Sequence, residues 1–222
     1  MHLRDLSQFL AELADNNNRP WFVMNKPRYD ILRIEFLELV TRLIANISKF
    51  DPAIAGIDPK KALFRINRDV RFSHEKNPYK THFSAAISAN GLKKPSPAAG
   101  PMYYFHINQH GQLLLACGEY LPLTERLLQI RQGVMHDGLG LQKALKDKKL
   151  KSTYGELSKD DTLIRPPKGF DPDLPDIALI KLKSFLVHKE SSLAGVMPDE
   201  LERDLARDFK AGLPLVLWLR AL

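Results

Sequence analysis

Three arginines spaced three residues apart, with an aspartate between the last two, form the most chemically suggestive pattern in the chain. They are Arg65, Arg68 and Arg71, and the aspartate is Asp69. A guanidinium group stays charged at physiological pH, and its planar fork can bind a phosphate or a carboxylate through two hydrogen bonds. We hypothesise that the three arginines converge on one anion and that Asp69 fixes their orientation.

These arginines belong to a basic segment, residues 60–94. It contains nine lysines or arginines and two carboxylates, so its net charge of +7 equals the formal net charge of all 222 residues. The rest of the chain is therefore balanced in charge. A local excess of this kind is the usual footprint of an anionic partner. The competing interpretation is a solvated hairpin whose charges only protect a sheet edge.

Alternating apolar and polar side chains predict strands on both sides of the arginines and farther along the chain. The predicted strands cover residues 62–67, 82–88, 102–108 and 113–120, and a further strand covers residues 180–187. Short links between the first four favour an antiparallel meander. If Phe64, Ile66 and the other apolar members face the helices, these residues share the opposite, polar face: Arg65, Asn67, Lys80, His82, Ser84, Tyr104, His106 and Asn108.

The polar face combines groups that transfer protons with groups that stabilise negative charge. His82 and His106 titrate near neutral pH and suit general acid or base chemistry, and Asp69 is the third candidate for a catalytic role. The candidate anion-binding residues are Arg65, Arg68, Arg71, Lys76, Lys80, Arg165 and Lys168. Either histidine alone is more simply a hydrogen-bonding residue of an ordinary sheet, and only their shared face favours a functional site.

Arg165 and Lys168 belong to a proline-rich segment, residues 165–173, that is unsuited to a helix or a central strand. A stiff segment loses little entropy when it is held in place. We therefore expect it to place Arg165, Lys168 and Asp171 against the polar face of the sheet.

Helical periodicity surrounds this block of strands and predicts an α+β fold, residues 1–222 as a single domain, with helices on one face of the sheet. A short turn is predicted at Arg19, and Ile31 and Ile34 mark the apolar face of a long helix that follows it. The predicted helices cover residues 3–13, 27–48, 123–134, 141–151, 200–209 and 214–222, with Gly212 and Pro214 separating the last two.

Composition narrows the setting of the protein. Cys117 is the only cysteine and lies in an apolar run, which predicts a buried thiol and a reducing compartment. No apolar run approaches the roughly 20 residues that span a bilayer, and no signal peptide is indicated. We expect a cytoplasmic protein without a membrane partner. No convincing metal-ligand set and no complete dinucleotide fingerprint is present, so no cofactor is predicted.

Several motifs resemble those of DUF2461, a bacterial family of uncharacterised proteins of about this length. Its signature is matched by residues 65–72, Arg-Ile-Asn-Arg-Asp-Val-Arg-Phe, with Lys76, Tyr79, Lys80 and Thr81. Other matches follow the family's order over nearly the whole chain: Asn16-Asn-Asn-Arg19 with Trp21-Phe22, Tyr103-Tyr104 with His106, residues 165–172 and residues 181–185. Glu75 departs from the Asp or Asn usual there. The resemblance implies no established activity, so the chemistry must be argued from the residues.

Three functions remain open from the sequence. The first is binding of a phosphorylated or other anionic small molecule, with catalysis by the histidines or Asp69 as an extension. The second is a non-catalytic nucleic-acid-binding module that uses the basic segment, with tyrosines as stacking groups. The third is a structural protein that binds a partner through an exposed charged hairpin. Interleaving of arginine with Asp69 and histidines slightly favours the first.

Overall fold

A four-stranded antiparallel sheet forms the centre of the fold. The structure, a computed structural model, describes residues 2–69, 71, 76–93, 96 and 98–222. The strands are β1 (His82–Ser88), β2 (Met102–Asn108), β3 (Gln112–Glu119) and β4 (Phe185–Ser192). Each strand pairs with the next in chain order. The predicted α+β class and the antiparallel meander of at least four strands are thereby confirmed.

Helices precede the sheet, interrupt it between β3 and β4, and close the chain. None of the described helices is long and apolar enough to cross a bilayer. The helices are α1 (Leu3–Asp15), α2 (Arg19–Ser48), α3 (Pro59–Ala62), α4 (Thr124–Leu145), α5 (Lys148–Tyr154), α6 (Ile177–Ile180) and α7 (Pro198–Arg220).

Aromatic packing shows which face of the sheet the helices cover. The Phe36 ring of α2 lies 5.5 Å from Phe83 of β1 and 5.3 Å from Phe105 of β2 between ring centroids. Phe209 of α7 lies 5.4 Å from Tyr103 of β2. The buried hydrophobic side chains form one continuous cluster on this face. Because side chains alternate along a strand, His82 and His106 belong to the other face.

The prediction of a regular strand over residues 62–67 is wrong. Ala62 is the last residue of α3, and the residues after it form only isolated β-bridges, from Leu63 to Ala85 and from Asn67 to Tyr79. The bridge places Leu63 opposite the core-facing Ala85, so Leu63 is buried in the core and Phe64 lies on the polar face. A shift by one residue exchanges the faces of all side chains in a strand, and this explains the wrong placement of Phe64.

The turn and the helix predicted on either side of Pro27 are one helix, α2. Its buried face contains Leu32 and Phe36, whereas Ile31 and Ile34 are 60% and 57% exposed. Proline removes one backbone hydrogen bond from a helix interior, and burial of a long apolar face outweighs that cost.

The two helices predicted at the end of the chain are also one helix, α7, which continues through Gly212 and Pro214. A Cβ atom at position 212 would lie 2.4 Å from the Cys117 sulfur. Glycine is therefore required for close packing of α7 on β3 and does not end the helix here. Burial raises the pKa of the Cys117 thiol to about 12, so it is an inert core residue, as its apolar run predicted.

Two further boundaries differ from the sequence prediction. Helix α4 runs to Leu145 across a kink at Asp137, whose carboxylate accepts hydrogen bonds from Gly140 N and Trp218 Nε1. The strand predicted over residues 180–187 begins only at Phe185. Before it, the buried Arg131 guanidinium binds the carbonyl oxygens of Ile180 and Leu182 at 2.8 and 3.3 Å, and α6 takes the place of the predicted strand start.

A buried ion pair joins the end of α7 to the beginning of the sheet region. Arg220 donates through two guanidinium nitrogens to the two Asp51 oxygens, each at 2.7 Å. Tyr103 of β2 donates its hydroxyl to Asp51 at 2.9 Å. Asp51 is 2% exposed, and these contacts with Arg220 and Tyr103 lower its pKa although burial opposes that shift. The C-terminal helix is thus held by a charge that has no access to water.

We predict that Arg220→Ala lowers the free energy of unfolding by about 3 kcal/mol, because it leaves the buried Asp51 carboxylate without its cation. Urea denaturation would measure the change. The matched control is Lys26→Ala, which removes an exposed pair with Asp30 and should leave stability nearly unchanged. Equal, small effects of both substitutions would show that the Asp51 network does not stabilise the fold.

Candidate functional site

The polar face of the sheet forms the floor of a groove of about 590 Å³. Its centre is apolar, with Leu114 and Ala116 of β3 and Leu186 of β4. Gly118 belongs to this floor as well, and a Cβ there would meet the Phe185 carbonyl oxygen at 2.1 Å, so only glycine allows β3 and β4 to approach so closely. Polar side chains stand around this apolar centre and give the groove its chemistry.

His82 and His106 lie together beside the groove, on the shared face that alternation predicted. Their ring centroids are 5.1 Å apart. The Tyr104 hydroxyl and His106 Nδ1 are 3.1 Å apart and share a hydrogen bond. Of these three residues, Tyr104 and His106 line the groove, and His82 lies beside them on β1. The structure therefore brings together two of the three residues that the sequence suggested for proton transfer.

Both histidines are neutral at pH 7. Burial is the main cause that lowers the pKa of His82 to about 4, and His106, Lys80 and Arg68 lower it further. Burial also lowers the pKa of His106, partly offset by Glu190 on β4. A neutral imidazole presents one nitrogen that donates and one that accepts a proton. His106 can then donate or accept a hydrogen bond at Nε2, the atom that the contact with Tyr104 leaves open.

A cluster of cations lies next to the histidines: Lys80 and Lys93 at the Phe64 ring, with Arg65 and Arg68 close enough to act on Lys80. We name these four residues the cationic lip. Lys80 Nζ is 5.2 Å and Lys93 Nζ 5.4 Å from the Phe64 centroid. Burial lowers the pKa of Lys80, and Arg65, Arg68 and Lys93 lower it further. Phe64 in turn lines the groove and meets Tyr104 edge-on, with ring centroids 6.2 Å apart. Positive charge is thus crowded beside the Phe64 end of the groove, and none of the four cations lines the groove itself.

Asp69 and Arg71 form a local pair in the exposed loop. Arg71 donates to both carboxylate oxygens of Asp69, from Nε at 2.9 Å and from a terminal nitrogen at 2.7 Å. Hydrogen bonds from Arg71 are the main cause that lowers the pKa of Asp69 to about 2. Such a carboxylate is ionised and weakly basic, which favours an orienting role over proton transfer. The guanidinium fork of Arg71 is directed at Asp69, whereas Arg68 acts on Lys80 and His82.

One asparagine between the N-terminal helices anchors the basic segment at Tyr79. Asn17, between α1 and α2, donates through its amide to the Tyr79 carbonyl at 3.0 Å and accepts from the Tyr79 amide at 3.0 Å. The Tyr79 ring stacks on Phe22 of α2 with centroids 4.1 Å apart. Lys80 follows directly and pairs its amide with the Ile66 carbonyl. These contacts fix the backbone from which Lys80 and His82 extend.

The remaining predicted anion-binding residues lie elsewhere. Arg165 and Lys168 are exposed and do not line the groove. The prediction that the proline-rich segment places them against the polar face of the sheet is therefore wrong. Lys76 is exposed in the basic loop. Phe72 and Glu75 of the signature region, and Lys94 of the basic segment, lie outside the described residues.

Sequence reasoning missed the opposite side of the groove. His188 and Glu190 extend from β4 onto the polar face, and Asp160 and Asp161 lie beyond that strand. Alternation would have revealed the first two if the strand had been predicted over Phe185–Ser192. Asp160 and Asp161 carry no local signal, because long-range backbone contacts bring their segment to the sheet: the hydrogen bond from the Ser158 amide to the Leu186 carbonyl and the bridge between Thr162 and Leu182. Within the described residues, no group of three or more His, Cys, Asp or Glu could hold a metal ion.

We predict that His82 titrates near pH 4 in a histidine NMR titration. Lys80→Met should raise the pKa of His82 only part of the way to the ordinary value of about 6.5, because burial, the larger cause, remains. The unfolded chain takes up this proton near pH 6.5, before the folded chain does. The free energy of unfolding should therefore fall as the pH falls from about 6.5 to about 4. Lys143→Met, on α4, is the control, and titration of His82 near pH 6.5 would contradict the described site.

Comparison with known proteins identifies one family. The model of the conserved hypothetical proteins DUF2461 matches residues 5–218. No curated protein and no solved structure matched the chain. The match covers nearly the whole sequence, including the arginine signature, both histidine strands and the segment that carries Asp160 and Asp161. This chain therefore belongs to the DUF2461 family, as its motifs indicated.

Proposed function

We propose that the protein binds a phosphorylated or otherwise anionic small molecule at the cationic lip, within reach of His106. The observation that carries the proposal is the uncompensated charge of two lysines. Lys80 and Lys93 flank the same aromatic ring, and neither forms an ion pair in the part of the chain that the structure describes. Both have a lowered pKa, with burial as the main cause.

Electrostatic repulsion explains why such a cluster favours an anion. Cations that approach one another while partly withdrawn from water repel more strongly than they do in bulk solvent. A bound anion converts this repulsion into attraction and forms charge-assisted hydrogen bonds with the arginine and lysine nitrogens. By contrast, Arg71 is already paired with Asp69, which supports Lys80 and Lys93 as the better anion ligands.

The groove favours a small molecule over a polynucleotide. A nucleic-acid-binding surface is a long basic track with exposed aromatic groups. Here the charged residues that line the groove beside the cationic lip are Glu190, Asp160 and Asp161, which would repel a continuing phosphate backbone. The volume of about 590 Å³ also lies in the range of small-molecule sites.

Proton transfer is the extension of this proposal that the histidines support. With pKa values lowered by burial, His82 and His106 are neutral at pH 7 and so available as bases or as hydrogen-bond donors. A bound anion would offset the positive charge of Lys80 and Arg68 and raise the pKa of His82. The reaction that would follow depends on the ligand, so binding is the property to test first.

We predict that Arg68→Ala and Lys80→Ala each weaken binding of phenyl phosphate by about tenfold to a hundredfold, because each removes a charge-assisted contact. Arg68→Lys should recover only part of the affinity, since it keeps the charge and loses the planar fork. Isothermal titration calorimetry would measure the affinities. Lys168→Ala is the matched control, an exposed cation that does not belong to the cationic lip. Arg71→Ala should have a smaller effect because its fork already binds Asp69.

The same titrations at several salt concentrations separate the alternatives. A compact anion site should lose affinity gradually with salt, whereas a polynucleotide site should lose it steeply because many counterions are released. Tight, steeply salt-dependent binding of single-stranded DNA or RNA, without binding of phenyl phosphate, would overturn the proposal. Thermal melts of each variant control for loss of folding. A large drop in melting temperature for Arg68→Ala, with unchanged phosphate affinity per folded molecule, would assign the arginine a structural role.

A further inference from the structure

We propose that the outer face of α2 binds the same face of a second copy of this chain, with the two helices antiparallel about a two-fold axis near residue 28. Five exposed apolar residues define this surface, and we name them the outer stripe: Val23, Met24, Pro27, Ile31 and Ile34. The stripe lies on the side of α2 away from the sheet. The interface is therefore independent of the proposed anion site.

The outer stripe is a continuous apolar surface in contact with water. Its members recur every three or four residues, so at about 3.6 residues per turn they share one side of the helix, opposite the buried side that carries Leu32 and Phe36. Val23 and Met24 are 60% and 76% exposed, and Ile31 is exposed to a similar extent. Apolar residues on two opposite sides are typical of a helix that is covered on both sides.

The area of the outer stripe matches what a specific dimer needs. Single exposed apolar residues are ordinary, whereas a contiguous patch of several hundred Å² marks an interaction surface. The exposed fractions of the stripe residues correspond to roughly 450 Å². A standard interface buries about 800 Å² on each partner, of which somewhat more than half is apolar. The stripe therefore supplies about the apolar share of one side of such an interface.

Two-fold symmetry makes the outer stripe complementary to itself. In a two-fold interface, each contact between one residue and another is repeated with the two copies exchanged. An axis near residue 28 places Val23 opposite Ile34 of the second copy, and Pro27 opposite Ile31 of the second copy. The apolar residues of the two helices then cover one another along the whole stripe.

Charged residues beside the stripe fit the same axis. Arg19 and Glu38 lie beyond its two ends, about 28 Å apart along the helix, and neither forms an ion pair among the described residues. The two-fold axis places Arg19 opposite Glu38 of the second copy. Lys26 and Asp30, which pair with each other at 2.5 Å, lie near the axis and meet the same two charges in reverse order. Alternating charge of this kind favours a second copy over a uniformly anionic lipid surface.

Sedimentation equilibrium of the full chain from about 1 to 200 µM tests the dimer, for which we expect a dissociation constant of about 10 µM. Ile31→Glu should weaken association at least a hundredfold, because it places two unpaired carboxylates in the apolar contact. Ile164→Glu is the matched control. Ile164 is 93% exposed and lies outside α2, so this variant should associate like the wild type. Thermal melts of both variants check that they fold.

Exchange of the end charges tests the antiparallel arrangement without changing the apolar stripe. Arg19→Glu alone and Glu38→Arg alone each place like charges opposite one another at both ends of the interface, so each variant should associate about tenfold more weakly. An equimolar mixture of the two variants should recover nearly the wild-type affinity. In the mixed dimer, each glutamate again lies opposite an arginine.

A dimer that Ile31→Glu weakens and that the mixture of charge variants restores would support the proposal. A chain that stays monomeric at every concentration would overturn it, and so would a dimer that Ile31→Glu leaves intact or that the mixture fails to restore. Vesicles of phosphatidylcholine and phosphatidylserine provide the remaining comparison. Binding of a monomeric wild type, lost in Ile31→Glu, would assign the outer stripe to a membrane surface and overturn the second copy.

Discussion

Alternation of side chains across the pleat of one sheet is the constraint on which the rest of the structure depends. The aromatic rings of Phe83 and Phe105 point to α2, and this requires His82 and His106 to point the other way. A shift of one residue in either strand would bury the histidine of that strand and expose its ring. Packing of the core therefore positions the candidate site. The free energy that holds the histidines in place comes from burial of their apolar neighbours, and the site adds little to it.

Helix packing also determines where the basic loop lies. Asn17 binds both backbone groups of Tyr79, and Phe22 stacks on its ring. Asn17 lies between α1 and α2 and Phe22 lies in α2, and both are far from Tyr79 in sequence. The backbone that carries Lys80 is thus held by neutral contacts. Apolar packing and backbone hydrogen bonds can therefore keep Lys80 and Lys93 close together against their mutual repulsion.

Much of this arrangement could be predicted from the sequence, and the failures have physical causes. The strands around His82 and His106 and their shared face followed from alternation, which burial enforces strictly. The extent of α7 did not follow, because Gly212 serves close packing against Cys117, a contact 95 residues away in the chain. Phe64 was assigned to the wrong face because α3 shifts the start of its segment. Asp160 and Asp161 could not be found at all, since backbone contacts with residues about 20 or more positions away bring them to the groove.

Anomalous scattering from a heavy phosphate analogue would test the central claim most directly. Crystals of the protein soaked in tungstate should show an ordered anion between Lys80, Arg68 and the edge of the Phe64 ring, within hydrogen-bond distance of at least two lip nitrogens. The same peak should be lost in Lys80→Ala crystals of the same form and should remain in Lys168→Ala crystals. Ordered anions found only at the exposed lysines of α4 and α5, with the cationic lip empty, would contradict the account.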